Sequence, residues 1–272
     1  MSMKMLVEAL LKILLLVNLA YILWLNIFVG KESASGVGVY TQIPLALIPV
    51  IGAIYGLISA HHWGGLTSVL GKTMTFLSLG LLSWGGGMVG WLMYIFVLGQ
   101  TEVPYPSPAD FVFMLSQMFW LLGSIYLARV IGAQYGLRSK NGKLLVVLVP
   151  ICAVLISYIL LVLVARDGVL AIDAIDLKTF FDIYYPTGTT TSLAMVSVVF
   201  FLSHKFLGGK YRSAVLTLYL GFVCQYIGDF WYSYGTTKEI YFNGHWTDMM
   251  FTLAMFLIAK GIMGITPEID GE

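Results

Sequence analysis

The sequence predicts an all-α polytopic membrane protein: eight transmembrane helices in two parallel four-helix repeats, with both termini in the cytoplasm. Three observations lead to this prediction. The 272 residues are 59% hydrophobic and 11% charged, with a mean hydropathy of +0.88, which fits a bilayer better than water. The second and fourth quarters of the chain resemble each other. Lysine and arginine residues are concentrated in alternate loops.

Eight stretches are long and apolar enough to span a bilayer, since a spanning helix needs roughly 20 mostly apolar residues. They cover approximately 5–29, 39–60, 73–99, 109–133, 144–165, 187–207, 213–235 and 246–265. No small-residue cleavage site follows the first stretch, so we expect a retained helix and not a signal peptide. The longest connection, at about 166–186, has apolar residues at helical spacing and indicates a short helix on the outer membrane surface.

A shift of the sequence by 138 residues, close to half its length, aligns similar residues without a gap. The pairs include Gly90 with Gly228, Asp110 with Asp248, and, further, Tyr94 with Tyr232, Phe113 with Phe251 and Gly123 with Gly261. A tandem duplication would produce this offset. We therefore predict two four-helix repeats, residues 1–136 and 137–272, within one integral membrane domain. In duplicated membrane bundles the ligand site often lies at the repeat interface.

Orientation follows from the basic residues of the short loops, which concentrate on the cytoplasmic side of a membrane. An inside N-terminus places these ten on that side: Lys4, Lys72, Arg129, Arg138, Lys140, Lys143, Lys205, Lys210, Arg212 and Lys260. It leaves four outside: Lys31, Arg166, Lys178 and Lys238. We therefore expect a protein of the cytoplasmic (plasma) membrane with both termini inside.

Motifs of known catalytic chemistry do not occur in the sequence. It lacks GxSxG, HExxH and Walker A patterns, and no nucleophile stands near a base. Cys152 and Cys224 lie inside predicted helices and lack metal-ligand spacing. His61, His62 and His204 could hold a metal or a haem edge, but interfacial histidines explain them as well. We expect no enzyme, no metal and no nucleic-acid partner, and the sequence identifies no cofactor.

Asp229 is the most informative ionisable residue within the predicted spans, because charge in hydrocarbon is costly and usually serves function. Under the 138-residue shift its counterpart is Trp91, so the repeated packing does not require an acid there. A ligand contact explains such asymmetry. A carboxylate satisfied by neighbouring tyrosine hydroxyls or by Gln225 explains it equally well.

Aromatic residues are more numerous at the outer ends of the helices than at the inner ends. An interfacial aromatic belt accounts for part of this distribution, but it would be matched on the inner side. The excess predicts a pocket that opens outward and takes an apolar or aromatic ligand. The predicted ligand-binding residues are Asp229, Trp231, Tyr232, Gln225, Trp91 and Tyr94.

Asp110 and Asp248 each stand at the N-terminus of a predicted helix. A carboxylate in that position accepts hydrogen bonds from free backbone amides and meets the positive end of the helix dipole. We therefore predict structural helix caps at both positions, with ligand contact as the alternative.

The segment from Pro104 to Asp110, PYPSPAD, opens an apolar helix and resembles the YPSxAD-type turn of polytopic bacterial sensor domains. Such domains stand N-terminal to the GGDEF and EAL modules of cyclic-di-GMP enzymes. The stretch from Gly228 to Asp248 is similar to the second half of the same pattern. The resemblance covers about 85–130 and 220–265 and implies a membrane-embedded input module with a cytoplasmic C-terminus. The sequence departs from the pattern because we expect no output domain after the last predicted helix.

We therefore expect a sensory or ligand-binding module in the lipid bilayer that binds an apolar or aromatic small molecule from outside. It would signal to a cytoplasmic or membrane partner protein. Two alternatives stay open: a small-molecule transporter using the same repeat interface, and a non-catalytic accessory or structural subunit of a membrane complex. The ligand, the output partner and the oligomeric state do not follow from the sequence.

Overall fold

A computed structural model describes residues 2–30, 36–100, 103–168, 176–203 and 209–265, and these residues form eight long helices without a strand. Each helix, with its helical extensions, is long and apolar enough to cross a membrane, so we describe the chain as a membrane protein. The helices are α1 (Met3–Trp24), α2 (Gln42–His62), α3 (Val69–Phe96), α4 (Pro108–Val130), α5 (Lys140–Ser157), α6 (Leu177–Ser203), α7 (Gly209–Thr237) and α8 (Trp246–Ile265).

Three of the helices have irregular extensions. Residues Leu25–Val29 and Tyr158–Val164 continue α1 and α5 as π-helices, and a 3-10 turn at Gly38–Thr41 leads into α2. These segments keep the backbone hydrogen-bonded within the chain, which a lipid environment requires.

Short polar side chains begin several helices by binding free backbone amides of the first turn. The Ser68 hydroxyl accepts a hydrogen bond from the Gly71 amide at 2.9 Å, and the Ser139 hydroxyl accepts one from Gly142 at 3.0 Å. Asp176 caps α6 by accepting a hydrogen bond from Thr179 at 2.7 Å, and this bond lowers the pKa of its carboxyl group.

The helices pack around one continuous apolar core. Helix α3 lies between α2 and α4, α8 packs on both α7 and α2, and α6 contacts α4, α5 and α7. Helices α1 and α5 lie at the periphery, since only 17% and 11% of their most apolar segments are buried, against 61% for α8. The core at mid-bundle includes Leu77, Trp120, Phe222 and Ile258.

Glycines allow the helices within this core to approach closely. A Cβ atom on Gly85 would lie 2.7 Å from the Val50 side chain, and one on Gly87 would lie 2.7 Å from the Phe113 ring. Gly85 and Gly87 therefore serve the close packing of α3 against α2 and α4.

The sixth helix differs most from its predicted bounds. It begins at Leu177, ten residues before the predicted start at 187, and it runs through Pro186 without a break. The prediction of a separate surface helix at 166–186 is therefore wrong for the described residues from Leu177 onward, while 169–175 lie outside the described residues. Proline lacks the amide that would bond the carbonyl four residues earlier, at Asp182. Arg166 Nη1 donates to that carbonyl at 3.2 Å and so replaces the missing bond.

Candidate functional site

A cavity of about 690 Å³ lies among the helices, at the end of the bundle where α3 and α7 end and α4 and α8 begin. Helices α2, α3, α4, α6, α7 and α8 all contribute to its walls. Among the lining residues are four aspartates, several tyrosines and two tryptophans: Asp110, Asp182, Asp229, Asp248, Tyr105, Tyr185, Tyr232, Tyr241, Trp84 and Trp91. The volume suits a small organic molecule, since ligand pockets usually measure roughly 300–1,000 Å³.

Trp84 and two phenylalanines form an aromatic group along the cavity wall. The Trp84 ring lies 5.7 Å from Phe113 on α4 and 5.9 Å from Phe251 on α8, both measured between ring centroids. These separations are typical of favourable aromatic pairs. Phe113 and Phe251 are matched by the 138-residue shift. Trp84 therefore contacts the matching phenylalanine of each half of the chain.

Asp110 lies in the first turn of α4 and is held by residues of two helices. Its Oδ2 atom accepts hydrogen bonds from the Ser107 amide at 2.7 Å and from the Ser107 hydroxyl at 2.9 Å. Its Oδ1 atom accepts one from the Tyr185 hydroxyl of α6 at 2.7 Å. The carboxylate therefore serves the helix start and also joins α4 to α6.

Asp248 occupies the corresponding place in the first turn of α8 and is only 1% exposed. Its Oδ2 atom accepts hydrogen bonds from the Gly244 amide at 2.7 Å and from the Gln42 side-chain amide at 2.6 Å. The Tyr241 hydroxyl donates to Oδ1 at 3.2 Å. Burial and the nearby carboxylate raise the pKa of Tyr241, which keeps its hydroxyl protonated as a donor.

These two aspartates connect the halves of the chain crosswise. Asp110 in the first half binds Tyr185 of the second half, and Asp248 in the second half binds Gln42 of the first half. Both links lie at the edge of the cavity. Any change in the spacing of the halves at this end would therefore stretch one partly buried and one buried hydrogen bond.

Asp229 of α7 faces the cavity eight residues before the helix ends at Thr237, roughly 12 Å along the helix axis. The Thr189 hydroxyl of α6 donates to its Oδ2 atom at 2.6 Å. The Gln225 side-chain amide lies 3.3 Å from both carboxylate oxygens. Within the described part of the chain, ion pairs join Lys12 to Glu8 and Lys238 to Asp167, and neither includes Asp229.

Polar side chains continue from Asp229 into the middle of the bundle. The Gln117 amide of α4 lies 3.4 Å from the Thr189 hydroxyl, and Ser192 donates to the Gln117 carbonyl at 2.8 Å. Gln225 is 3% exposed, and its Oε1 atom has no hydrogen-bond partner among the described residues. This buried acceptor lies beside the Asp229 carboxylate.

Charged residues of both signs surround the cavity mouth. The Tyr105 hydroxyl donates to Asp182 Oδ1 at 2.8 Å, and Arg166 donates to the Ser233 hydroxyl at 3.3 Å. Lys178 also lines this region. Partial burial, together with the hydrogen bond to Asp182, raises the pKa of the Tyr105 phenol above its usual range. Arg166 and Lys178 are thus the cations among the lining residues of the cavity.

A smaller cavity of about 440 Å³ lies between α4 and α6, beside the central one. Gln117 and Ile183 line both cavities, so side chains of these two residues form the partition. Met118 and Phe180 on the wall of the smaller cavity are exposed on the bundle surface. The central cavity is therefore separated from the lipid-facing side of the bundle by a thin wall.

Four of the six predicted ligand-binding residues line the central cavity: Asp229, Tyr232, Gln225 and Trp91. Trp231 and Tyr94 are not among its lining residues. Trp231 is 44% exposed and packs edge-on against Phe230. Adjacent residues of a helix point about 100° apart, which separates Trp231 from the cavity side that Tyr232 occupies.

Several lining residues were missed because their positions depend on neighbouring helices. Trp84 and Tyr185 appeared in the sequence only as members of an outer aromatic belt, and Arg166 only as an outer loop cation. The pairing of Arg166 with the carbonyl that Pro186 leaves without a donor is visible only once both helices are placed. An internal proline followed by a polar run, TGTTTS, was the available signal.

Glycine contacts of α3 and α7 resemble each other at an offset that differs from the gap-free sequence shift of 138 residues. Gly87 packs on Phe113 as Gly228 packs on Phe251, and Leu77 packs on Gly123 as Leu218 packs on Gly261. The residues of α4 and α8 in these pairs differ by 138 positions, but those of α3 and α7 differ by 141. In this register Met88, and not Trp91, corresponds to Asp229.

Metal ligation finds no support among the residues that the structure describes, since no three of their histidine, cysteine or acidic side chains cluster suitably. His61 and His62 are exposed at the end of α2, with ring centroids 6.3 Å apart. His204 lies outside the described residues. The described residues therefore give no support to the alternative that the histidines hold a metal or a haem edge.

The fold and the cavity together describe an eight-helix membrane bundle with a polar and aromatic pocket between its halves. The chain matches no protein-family model, no curated protein and no solved structure.

Proposed function

We propose that this chain is a non-catalytic, membrane-embedded ligand-binding module that takes up an aromatic or apolar small molecule and transmits the event to a partner protein. The central cavity carries this proposal, because its volume and its aromatic wall suit such a ligand. Its position among six helices from both halves means that an occupant would contact most of the bundle.

The proposed orientation places both termini in the cytoplasm and the cavity mouth outside. In this orientation α3 and α7 run outward and α4 and α8 run inward, so the ends that form the cavity face the exterior. The excess of basic residues in the opposite loops supports this arrangement. Cysteine-scanning with a membrane-impermeant maleimide would test it, with labelling expected in intact cells at Lys238→Cys and not at Lys140→Cys.

The proposed repeats, residues 1–136 and 137–272, derive support from helix packing. Helix α2 contacts α8 as α6 contacts α4, and α3 pairs with α4 as α7 pairs with α8. The similar contacts of Gly87 with Phe113 and of Gly228 with Phe251 also support the proposed repeats. The cavity then lies at the repeat interface, where duplicated membrane bundles often bind their ligands.

Signalling would use the crosswise hydrogen bonds of Asp110 and Asp248. A ligand inserted between the halves would change the spacing across which Tyr185 and Gln42 reach these carboxylates. Because packed helices move as rigid units, a shift at the outer end would alter the cytoplasmic ends as well. The basic segment from Arg138 to Lys143 would present this change to a protein partner.

Binding is tested by identifying the molecules that remain with protein purified in mild detergent, using native mass spectrometry. We expect one stoichiometric non-lipid molecule that is lost from Ser233→Trp, because Ser233 lines the cavity and an indole there would fill it. The matched control is Val147→Trp, which adds the same group at a 56% exposed position of α5. Wild-type protein that carries and binds no small molecule would refute the proposal.

Transport through the same cavity is the second candidate function. The polar network from Asp229 through Thr189 to Gln117 and Ser192 favours it, since it extends polar groups beyond the cavity. Against it, Trp120 is fully buried and packs edge-on against Phe222 with centroids 5.4 Å apart. Flux of the identified ligand into protein-containing liposomes would support transport, and binding without flux would support the ligand-binding module.

A further inference from the structure

We propose that the ligand of the central cavity is an aromatic amine: a protonated amino group that binds Asp229, joined to a ring that packs on the α3 wall. This inference rests on the proposed ligand-binding function and specifies its substrate class. Three independent features of the cavity support it, namely the contrast between its walls, its unused hydrogen-bond acceptors and its charge.

The two equivalent walls of the cavity differ in chemistry. In the register given by the helix contacts, Trp84 and Met88 of α3 correspond to Gln225 and Asp229 of α7. All four side chains line the cavity. One repeat therefore presents an aromatic and apolar surface where the other presents an amide and a carboxylate. A ligand with one apolar end and one polar end would satisfy both walls at once.

Two acceptors on the polar wall have no donor, or only a distant one, among the described residues. Gln225 Oε1 has no partner among the described residues although its side chain is 3% exposed. The neighbouring Asp229 Oδ1 atom accepts only the Gln225 amide, at 3.3 Å. Buried acceptors without donors are costly, so an occupant that donates hydrogen bonds is favoured over one that accepts them. An ammonium group provides three donors and no acceptor.

Charge selects a cation over a neutral donor. Asp110 and Asp248 each accept three hydrogen bonds and are committed to their helix starts. Arg166 and Lys178 lie at the mouth, with Asp182. Asp229 is left with the Thr189 hydroxyl and the Gln225 amide as its donors, and it forms no ion pair in the described part of the chain. A protonated amine would supply the missing counter-ion, and Tyr232 would add a cation–π contact.

Matched indoles test this inference. Tryptamine, tryptophol and indole-3-acetate share one ring and carry a cation, a neutral hydroxyl and an anion, respectively. Their dissociation constants are measured by equilibrium dialysis with the full chain in lipid nanodiscs, and the phenyl and cyclohexyl counterparts are measured alongside. We expect tryptamine to bind roughly tenfold to a hundredfold more tightly than tryptophol, the range that a charge-assisted hydrogen bond gives.

Two variants assign the preference to a residue. Asp229→Asn keeps the size of the side chain and an acceptor for Thr189 but removes the charge, so tryptamine and tryptophol should then bind equally. Asp176→Asn is the matched control, because it removes a carboxylate that is not among the lining residues of the cavity and keeps an acceptor for the Thr179 amide. It should leave the preference for tryptamine intact. Thermal unfolding of both variants verifies that they are folded.

The outcomes separate this inference from the function on which it rests. If none of the compounds binds at millimolar concentration, the proposed function fails for aromatic and apolar ligands, and the inference fails with it. If tryptophol or indole-3-acetate binds as tightly as tryptamine, the ligand-binding function stands and the amine is refuted. A preference for tryptamine that survives Asp229→Asn refutes Asp229 as the amine site.

Discussion

Replacement of Asp248 by alanine should destabilise the bundle more than any other single loss of a carboxylate at the cavity. Asp248 is 1% exposed and accepts hydrogen bonds from Gly244, Gln42 and Tyr241. Its equivalent, Asp110, is only partly buried and borders the open cavity. The two positions therefore offer a comparison of the same chemistry in a fully buried and in a partly buried setting.

The magnitude follows from the donors that the substitution would leave without an acceptor. In Asp248→Ala, the Gly244 amide and the Gln42 side-chain amide stay buried, at a cost of about 1–3 kcal/mol each, so we expect a loss of about 2–6 kcal/mol. The Tyr241 hydroxyl can turn toward the cavity. In Asp110→Ala, water in the cavity can replace the carboxylate, and the loss should approach that of a helix cap, about 1 kcal/mol.

Reversible unfolding in mixed detergent and SDS micelles, followed by circular dichroism, measures both variants against wild-type protein. The double variant Gln42→Leu, Asp248→Ala tests the mechanism, because the leucine removes the amide that Asp248→Ala leaves without an acceptor. It should recover about 1–3 kcal/mol relative to Asp248→Ala alone. Equal losses for Asp248→Ala and Asp110→Ala, or no recovery in the double variant, would refute the reasoning.

Three further predictions concern packing, the proline in α6 and the surface. Gly123→Ala should lower the same unfolding free energy by about 1–3 kcal/mol, because the added Cβ would lie 2.9 Å from a backbone nitrogen of α3. Gly86→Ala is the control: its Cβ would have its nearest neighbour at 3.4 Å, so the unfolding free energy should not change. Arg166→Ala should lower the unfolding free energy by about 1 kcal/mol in wild-type protein. In the Pro186→Ala background the loss should be much smaller, because the alanine amide can bond the Asp182 carbonyl. An equal loss in both backgrounds would contradict the pairing of Arg166 with this carbonyl. Lys238→Ala should leave the unfolding midpoint unchanged, since its ion pair is exposed and screened.

Helix number and type could be predicted from the sequence because hydropathy alone separates the eight spans. Each predicted span overlaps one observed helix, and most bounds differ by a few residues. The exception is α6, where Pro186 reads as a helix boundary by local rules. Arg166, a residue of the preceding segment, donates a hydrogen bond to the carbonyl that Pro186 leaves without its helical partner. Local rules do not include such a tertiary partner.

The candidate site could be predicted only in part, because many of its contacts join residues far apart in the sequence. Asp229 was recognisable because an acid in a hydrophobic segment is unusual, and Gln225 because it stands one helical turn away. The partners of the two predicted caps, Tyr185 and Gln42, lie 75 and 206 residues from Asp110 and Asp248, respectively. No periodicity in the sequence links residues at such separations.

The proposed repeat has two possible registers in α3 and α7, one from the 138-residue sequence shift and one from the helix contacts. Matching residues across 138 positions sets Asp229 against Trp91, but glycine contacts set it against Met88, three residues or almost one turn away. One turn leaves both candidates on the cavity side of α3, so the conclusion of asymmetry survives the correction. The register from the helix contacts also matches Trp84 of α3 with Gln225 of α7. Gln225 and Asp229 lie on consecutive turns of α7, and we propose that a ligand with two unlike ends explains why these positions are polar where α3 has Trp84 and Met88.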